Sequence, residues 1–368
     1  MDLCPQQTID EENHFTFLLY NAICSKDGNI VICPISINIM LAVIYLGSSD
    51  ETSLEIEKLL KLKSSDKSQI AECYTNFLKQ FDHLKEISLN IINKIYIKND
   101  YELLDVFKET AGQYFYTEIE TVNFTDPNIL SKINHWITEK TNQRLKSVID
   151  SICPNDIMLI INTIYFNALW ENEFNISKHS IEFQINETEI IEVPHLFRKD
   201  FFNYYCDPET KLKILEIPYK DEQFSFVLFL PKDVNDWKDF DLSKINYKGK
   251  LEENLVKVSI PMFKIEQSHD LTCILQELGM KTAFNNSANL TEMAKPHQEP
   301  LKISKIIQKN SIIVSEKGTE ASTASPGIIK MKLSSSETFN ADHPFFFLIQ
   351  HKPTNSILYI GRVVNPNI

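Results

Sequence analysis

The stretch from Val314 to Ser325, Val-Ser-Glu-Lys-Gly-Thr-Glu-Ala-Ser-Thr-Ala-Ser, constrains this chain more than any other. It is small, polar and lightly charged, and it follows an apolar strand-like run, Ile303 to Val314. Polar runs of small residues read as exposed loops. Yet Thr319, Ala321, Thr323 and Ser325 alternate at period two with no bulky group among them. Such a segment can enter a packed sheet as a strand without steric conflict. One segment is therefore written for two states. Further on, Asp342 to Ile349 and Ile357 to Val363 read as buried strands that fix the far end of the loop.

The chain has 368 residues, of which 43% are hydrophobic, enough for a large core. Its net charge of −13, from 50 acidic and 37 basic residues, argues against nucleic acid and anionic membranes as partners. The densest basic run, Lys58, Lys61, Lys63 and Lys67, is interleaved with acidic residues. It reads as the solvated side of a helix, and a glycosaminoglycan site is not expected. Met1 to Pro5 has neither a basic nor an apolar leader region, which predicts a leaderless, cytoplasmic protein, with non-classical release outside the cell as the other route. Seven cysteines at irregular spacing, with no C-x-x-C pair, predict no disulfide framework and a reducing compartment. Five sequons, at Asn123, Asn175, Asn186, Asn285 and Asn289, carry little weight in an Asn-rich chain without a secretory signal.

Periodicity places helices over most of Thr8 to Lys85, broken by a short strand, Asn29 to Pro34. Ser36 reads as the cap of an apolar helix ending at Gly47, and Thr52-x-x-Glu55 as a capping box for the next. Further helices are expected over Tyr101–Phe115, Pro127–Arg144 and Asp270–Gly279. Met158 to Phe166 is almost wholly apolar and β-rich, a strand buried on both faces. From Ile181 to Ile265 strands dominate. No repeat or linker interrupts the chain, which predicts one interwoven α+β domain over residues 1–368.

Several motifs occur together. Glu316-x-Gly318-Thr319-Glu320-Ala321 lies before His343-Pro344-Phe345-x-Phe347-x-Ile349 and Ile357-Leu358-Tyr359-x-Gly361-Arg362-Val363. Upstream stand Asn29 to Leu46 with Pro34 and Ser36, Asn134-His135-Trp136, and Asn162-x-Ile164-Tyr165-Phe166 with Trp170. Glu216-Ile217-Pro218-Tyr219 with Leu230-Pro231, Pro261 to Glu266, and Leu278-Gly279-Met280 complete the set. In order and spacing they resemble the serpin family of serine protease inhibitors. The resemblance implies the serpin fold: one domain with three β-sheets, about eight or nine helices, and an exposed reactive-centre loop over about 316–340. It also implies a hinge at Glu316, Gly318, Thr319, Glu320 and Ala321. A polar cluster that controls sheet opening would include Cys33, Ser36, Asn162 and Gln308, with Trp170 at the upper end of the sheet. Cys33 stands where the family usually has Ser, and Gln308 where it usually has His; these departures put the strength of the cluster in question. Pro326 would cost an inserted strand one ladder hydrogen bond, on the order of 1 kcal/mol.

No G-x-S-x-G, H-E-x-x-H, G-x-x-x-x-G-K-[ST] or G-x-G-x-x-G occurs, so no catalysis, cofactor or metal is expected of the chain itself. His343 has no catalytic company in sequence and reads as structural. By the resemblance, the chemistry belongs to a target protease. Family spacing from Glu316 puts the reactive bond at Lys332-Leu333, with Met331 and Lys330 as rivals. Lysine suits a trypsin-like pocket. Methionine would suit a chymotrypsin-like enzyme, and a mixed-specificity protease such as cathepsin G would take either. The implied action is that of a monomer trapping the acyl-enzyme by loop insertion. The competing implication is a non-inhibitory carrier, chaperone or storage protein of the same fold.

Overall fold

A computed structural model describes residues 9–24, 27–82, 84, 87–141, 143, 149–319 and 336–367. Seven α-helices lie among them: α1 (Ile9–Ile23), α2 (Pro34–Leu46), α3 (Asp50–Leu60), α4 (Lys67–Leu78), α5 (Asp105–Phe115), α6 (Ile129–Lys140) and α7 (Thr272–Glu277). Four short 3-10 turns also occur, so the described residues hold seven α-helices against the eight or nine helices expected. Helix α2 is apolar all round and is accordingly buried along its length. Cys33, extended, precedes it and Pro34 opens it, so Ser36 lies inside the first turn rather than capping it. Gly47 ends it where a Cβ would come within 2.1 Å of the Met293 side chain.

The Thr52-x-x-Glu55 pattern serves another purpose than the expected capping box. Helix α3 starts earlier, at Asp50, after Ser49. Thr52 Oγ1 accepts the Asn289 amide at 3.0 Å, and Glu55 Oε2 accepts the Lys281 and Thr282 amides at 2.7 Å each. The motif fastens α3 to a distant turn. Helix α7 is also shorter than its pattern, because Asp270 still belongs to a strand.

The strands form three sheets. The first contains β2 (Ile87–Lys98), β3 (Thr117–Val122), β4 (Met158–Leu169), β12 (Phe263–Asp270), β13 (Lys305–Ser315) and β14 (Gly318–Thr319), in the order β12-β13-β14-β4-β2-β3. The second has nine: β1 (Ile30–Ile32), β5 (Asn175–Ile176), β8 (His195–Cys206), β9 (Lys213–Pro218), β10 (Phe224–Leu230), β11 (Glu252–Pro261), β15 (Glu337–Asn340), β16 (Phe345–His351) and β17 (Ser356–Val363). The third is the hairpin β6 (Ile181–Gln184) with β7 (Ile190–Val193). The mixed α+β architecture matches the expectation, and β4, β10, β16 and β17 are buried nearly throughout.

The main core lies between the six-stranded sheet, α2 and the nine-stranded sheet. A smaller one joins Ile129, Ile133 and Ile137 of α6 to Tyr96, Leu159, Ile161 and Ile307 on the opposite face. Beside it, Lys94 is 4% exposed. Its ammonium reaches Glu120 at 2.7 Å and Glu118 at 3.4 Å, and lies 4.4 Å over the Trp136 ring. Cys73 on α4 is disulfide-bonded, where the cysteine spacing predicts no disulfide framework. Cys24, Cys33, Cys153, Cys206 and Cys273 are free thiols. No helix among the described residues is long and apolar enough to cross a membrane.

Candidate functional site: a sheet seam and its hinge

Strands β4 and β13 meet in parallel, Leu159–Ile164 against Lys305–Asn310. Above Asn310 they part, and β14 fills the gap. Thr319 pairs with Ala168 on one side and Val314 on the other; Gly318 pairs with Leu169 and Ser315. The seam is therefore closed below and already occupied above.

The closed part is crossed by one row of polar side chains. Asn93 on β2 stands opposite Asn162 on β4, Asn162 opposite Gln308 on β13, and Gln308 opposite His269 on β12. The Asn162 amide donates to Asn93 Oδ1 at 2.6 Å, and its Oδ1 accepts from Gln308 Nε2 at 2.8 Å and Ser36 Oγ at 2.7 Å. Gln308 Nε2 also reaches the Cys33 carbonyl at 2.8 Å and Ser36 Oγ at 3.0 Å. Gln308 Oε1 accepts the Cys33 amide at 3.2 Å and Asn310 Nδ2 at 2.9 Å. His269 Nε2 lies 3.0 Å from the Val31 carbonyl, which also accepts from Asn310 Nδ2 at 3.2 Å. Asn162, Gln308, Asn310, Cys33 and Ser36 are all fully buried, where each such bond counts for more than it would in water.

Cys33, Ser36, Asn162 and Gln308 thus come together in space. The question over Cys33 is answered by which of its atoms are used: both contacts with Gln308 run through the Cys33 main chain. Burial pushes the thiol up to about 12, so the side chain stays neutral and fills volume. Asn93, Asn310 and His269 were not foreseen. Asn93 was the visible signal, a lone amide inside the otherwise β-rich run Ile91 to Ile97.

The upper part is aromatic. Trp170 is 2% exposed and stacks on Tyr219 at 4.7 Å and 10° between planes. Phe174 and Phe226 pack around it at 5.9 and 5.7 Å. Trp170 Nε1 donates to the Ser315 carbonyl at 3.0 Å, and its amide to the Lys317 carbonyl at 2.9 Å. The Phe174 amide donates to the Glu316 carbonyl at 2.8 Å. The turn after β13 is held by its backbone, while Glu316 and Lys317 stay half-buried. Thr319 is fully buried, its Oγ1 2.7 Å from the Tyr219 hydroxyl. Burial drives that phenol far above its ordinary range. Gly318 allows the close approach: a Cβ there would lie 2.0 Å from the Ala168 carbonyl oxygen.

Of the sequence-derived site, Glu320, Ala321, Lys330, Met331, Lys332 and Leu333 lie outside the described residues. His343 has both ring nitrogens engaged, Nδ1 with Asp342 at 2.7 Å and Nε2 with the Pro231 carbonyl at 2.9 Å, so it is a strut below the strand β16. No grouping of metal-ligating side chains occurs among the described residues.

A family model described as serpin (serine protease inhibitor) matches residues 10–366. The leukocyte elastase inhibitor of Xenopus laevis is 31% identical over 376 residues, covering 96% of this chain and 98% of that protein. Among solved structures, Serpin48 of the insect Tenebrio molitor superposes with a TM-score of 0.89 at 28% identity, covering 98% of each chain. Uncleaved ovalbumin superposes with a TM-score of 0.86 at 27% identity, covering 98% of this chain and 100% of its own. With the sheet seam, its polar row and its hinge in place, the chain belongs to the serpin family.

Proposed function

We propose that this chain is a single-domain suicide inhibitor of a trypsin-like serine protease, with Lys332-Leu333 as the reactive bond. The observation that carries the reading is the pairing of Gly318 and Thr319 with both β4 and β13. A seam that already holds the first two residues of a strand can take the rest in the same direction.

The serine of the protease attacks the Lys332 carbonyl carbon. The Lys332–Leu333 C–N bond breaks, the new amine at Leu333 leaves with a proton, and an ester joins Lys332 to the protease. The freed segment then zips downward between β4 and β13. About thirteen residues at ~3.3 Å each make roughly 40 Å of strand. The tethered protease is carried that distance and its catalytic groups are pulled out of register; misplacement of about 1 Å costs on the order of 10²-fold. The ester then outlives the enzyme's ability to hydrolyse it.

Mixing with trypsin should give a 1:1 complex that survives SDS electrophoresis, abolished by Lys332→Ala and little changed by Lys330→Ala. Loss with Lys330→Ala instead would move the bond two residues, and a complex only with chymotrypsin-like or cathepsin G-type enzymes would favour Met331. Clipped protein beside active protease throughout the panel would sink the inhibitory reading and leave the carrier or chaperone one. For that second reading Pro326 still speaks. The altered polar row no longer does, because Gln308 is fully bonded.

A further inference from the structure

We propose that Cys24 is an oxidation site, a thiol that hydrogen peroxide converts to a sulfenic acid, with Arg362 and Tyr20 as the two donors that serve its sulfur. The site lies at the end of α1, outside the sheet seam. The inference is independent of the inhibitory reading above.

Three groups meet there. Cys24 follows the last residue of α1, and its free thiol is half-buried. Arg362 of β17, only 3% exposed, donates through Nη1 to the Cys24 sulfur at 3.0 Å and to the Cys24 carbonyl at 3.3 Å. The guanidinium cannot swing away: its Nε donates to the Gly28 carbonyl at 2.8 Å, and it lies 4.7 Å over the Trp237 ring. Tyr20 stands one helical turn before Cys24, on the same face of α1, and is 1% exposed. Its hydroxyl has no nitrogen or oxygen partner, and the polar groups that act on it are the Cys24 sulfur and Arg362. Burial first, and then Cys24, hold this phenol well above its ordinary range, so it keeps its proton and stays a donor. Two buried donors, one of them with no other use, thus face one sulfur.

A thiol is a weak acceptor and gives two donors little to hold. A sulfur that develops negative charge, or an oxygen added to it, uses both. The helix end works against charge at this place, since its last carbonyls carry about half a negative charge between them. The guanidinium brings a whole positive charge to contact distance, so the positive side wins. In the reaction the sulfur attacks one oxygen of the peroxide. The S–O bond forms, the O–O bond breaks, and the departing hydroxide takes the thiol proton and leaves as water. Sulfur gives up two electrons and the peroxide gains them. The two donors follow the charge from the sulfur to the departing oxygen. A half-buried sulfur also admits this small reagent more readily than a bulky disulfide. Other thiols lack such company. Cys33 is fully buried and pushed up to about 12 by burial. Cys153 and Cys273 are exposed, but among the described residues no hydrogen bond reaches either sulfur.

The test treats the intact protein with hydrogen peroxide in the presence of dimedone, which traps sulfenic acids, and quantifies each labelled cysteine by mass spectrometry. Cys24 should be labelled about tenfold faster than Cys153 or Cys273, although both of those are more exposed. Tyr20→Phe removes a hydroxyl that has no nitrogen or oxygen partner, so the variant should fold normally. It should slow labelling of Cys24 about threefold, the scale of one net hydrogen bond, and leave Cys153 and Cys273 unchanged. Arg362→Lys should slow Cys24 further, with a thermal scan to show that the variant is folded. If it does not fold, Tyr20→Phe decides alone. Labelling of Cys24 no faster than that of the exposed cysteines would overturn the site. A lead for Cys24 that survives in the folded variants would overturn the part given to the two donors.

Discussion

The two ends of one seam are built from opposite chemistry. Below, β4 and β13 touch: Gln308 donates to Asn162 across the seam, and the Ser36 hydroxyl of α2 bonds to both. Above, they are separated by two residues and lined by rings that lie on one side only. Directional bonds across a gap are lost when the gap widens; stacked rings on one wall are not. The lower end therefore resists opening, and the upper end tolerates it. The proposed inhibitory mechanism, in which the sheet stays shut until triggered and then opens from one end, needs that asymmetry.

The largest effect expected from breaking the comparison is at the upper end. Thr319→Arg would put a guanidinium where Thr319 is fully buried against Tyr219. An unpaired charge in such a site costs several kcal/mol. The hinge should be expelled, trypsin should still cut the loop, and the stable complex should nearly vanish from SDS gels. A normal yield of complex would mean that the upper seam is not the point of entry.

Gln308→Ala attacks the lower end. It strips partners from Asn162 Oδ1, the Cys33 amide and carbonyl, and Asn310 in one step. A loss of about 3 kcal/mol is expected, seen as an earlier thermal transition of the uncleaved form. The cleaved form, with the gap already filled, should lose much less. Equal losses in both forms would show that the row guards no seam.

These two residues also measure what the sequence could tell. The family motifs carried the fold, because apolar strands such as β4 and β10 leave a plain pattern and their neighbours in the chain fix the order. Thr319 was legible as a gate from its size and its place in the hinge. That it is already inside the sheet was not, since the same small residues suit loop and strand. The role of Gln308 was half legible: its hydrogen-bonding capacity was visible, but not that it binds the main chain of Cys33. Long-range contacts of that kind, 275 residues apart in sequence, leave no local periodicity. Thr52 and Glu55 show the same limit, where a local capping pattern was put to non-local use.

Acid should act on the nine-stranded sheet. His195 and His351, both in the nine-stranded sheet, are lowered to about 4 by burial, with Asp342 and Asp221 opposing weakly. Unfolded, each takes up a proton near pH 6.5; folded, each resists until about 4. Between those values the unfolded chain binds more protons, so stability falls as pH falls. His343 runs the other way: burial lowers it, but Asp342 and the Pro231 carbonyl raise it overall, and its contribution fades as pH rises through its folded value. A net loss on the order of 2 kcal/mol from pH 6.5 to 4 is expected, partly relieved in His351→Gln. Thermal scans against pH check it, and a curve flat over that range would contradict it.

The smallest effect is the sharpest test of the lower row. Cys33→Ser should change stability by no more than about 1 kcal/mol, because Gln308 binds the backbone of residue 33 and not its thiol. A large gain in thermal stability would mean that the row had been waiting for a hydroxyl.

Helix α6 adds a mechanical side to this. Its apolar underside rests on Leu159 and Ile161 of β4 and also on Ile307 of β13, so it bridges the seam like a plank over a joint. A strand entering there would move Ile307 away by one strand spacing, about 4.8 Å. Lys94, clasped by Glu118 and Glu120 and covered by Trp136, ties it to the β2–β3 side, and Asn134 exchanges two hydrogen bonds with the Ile149 main chain at 2.9 and 3.2 Å. On the β13 side it holds by dispersion contacts, which are weak one by one and easily remade. If the joint widened as the proposed insertion requires, the helix would slide over its β13 side and settle on the newcomer, with its β2–β3 side still held.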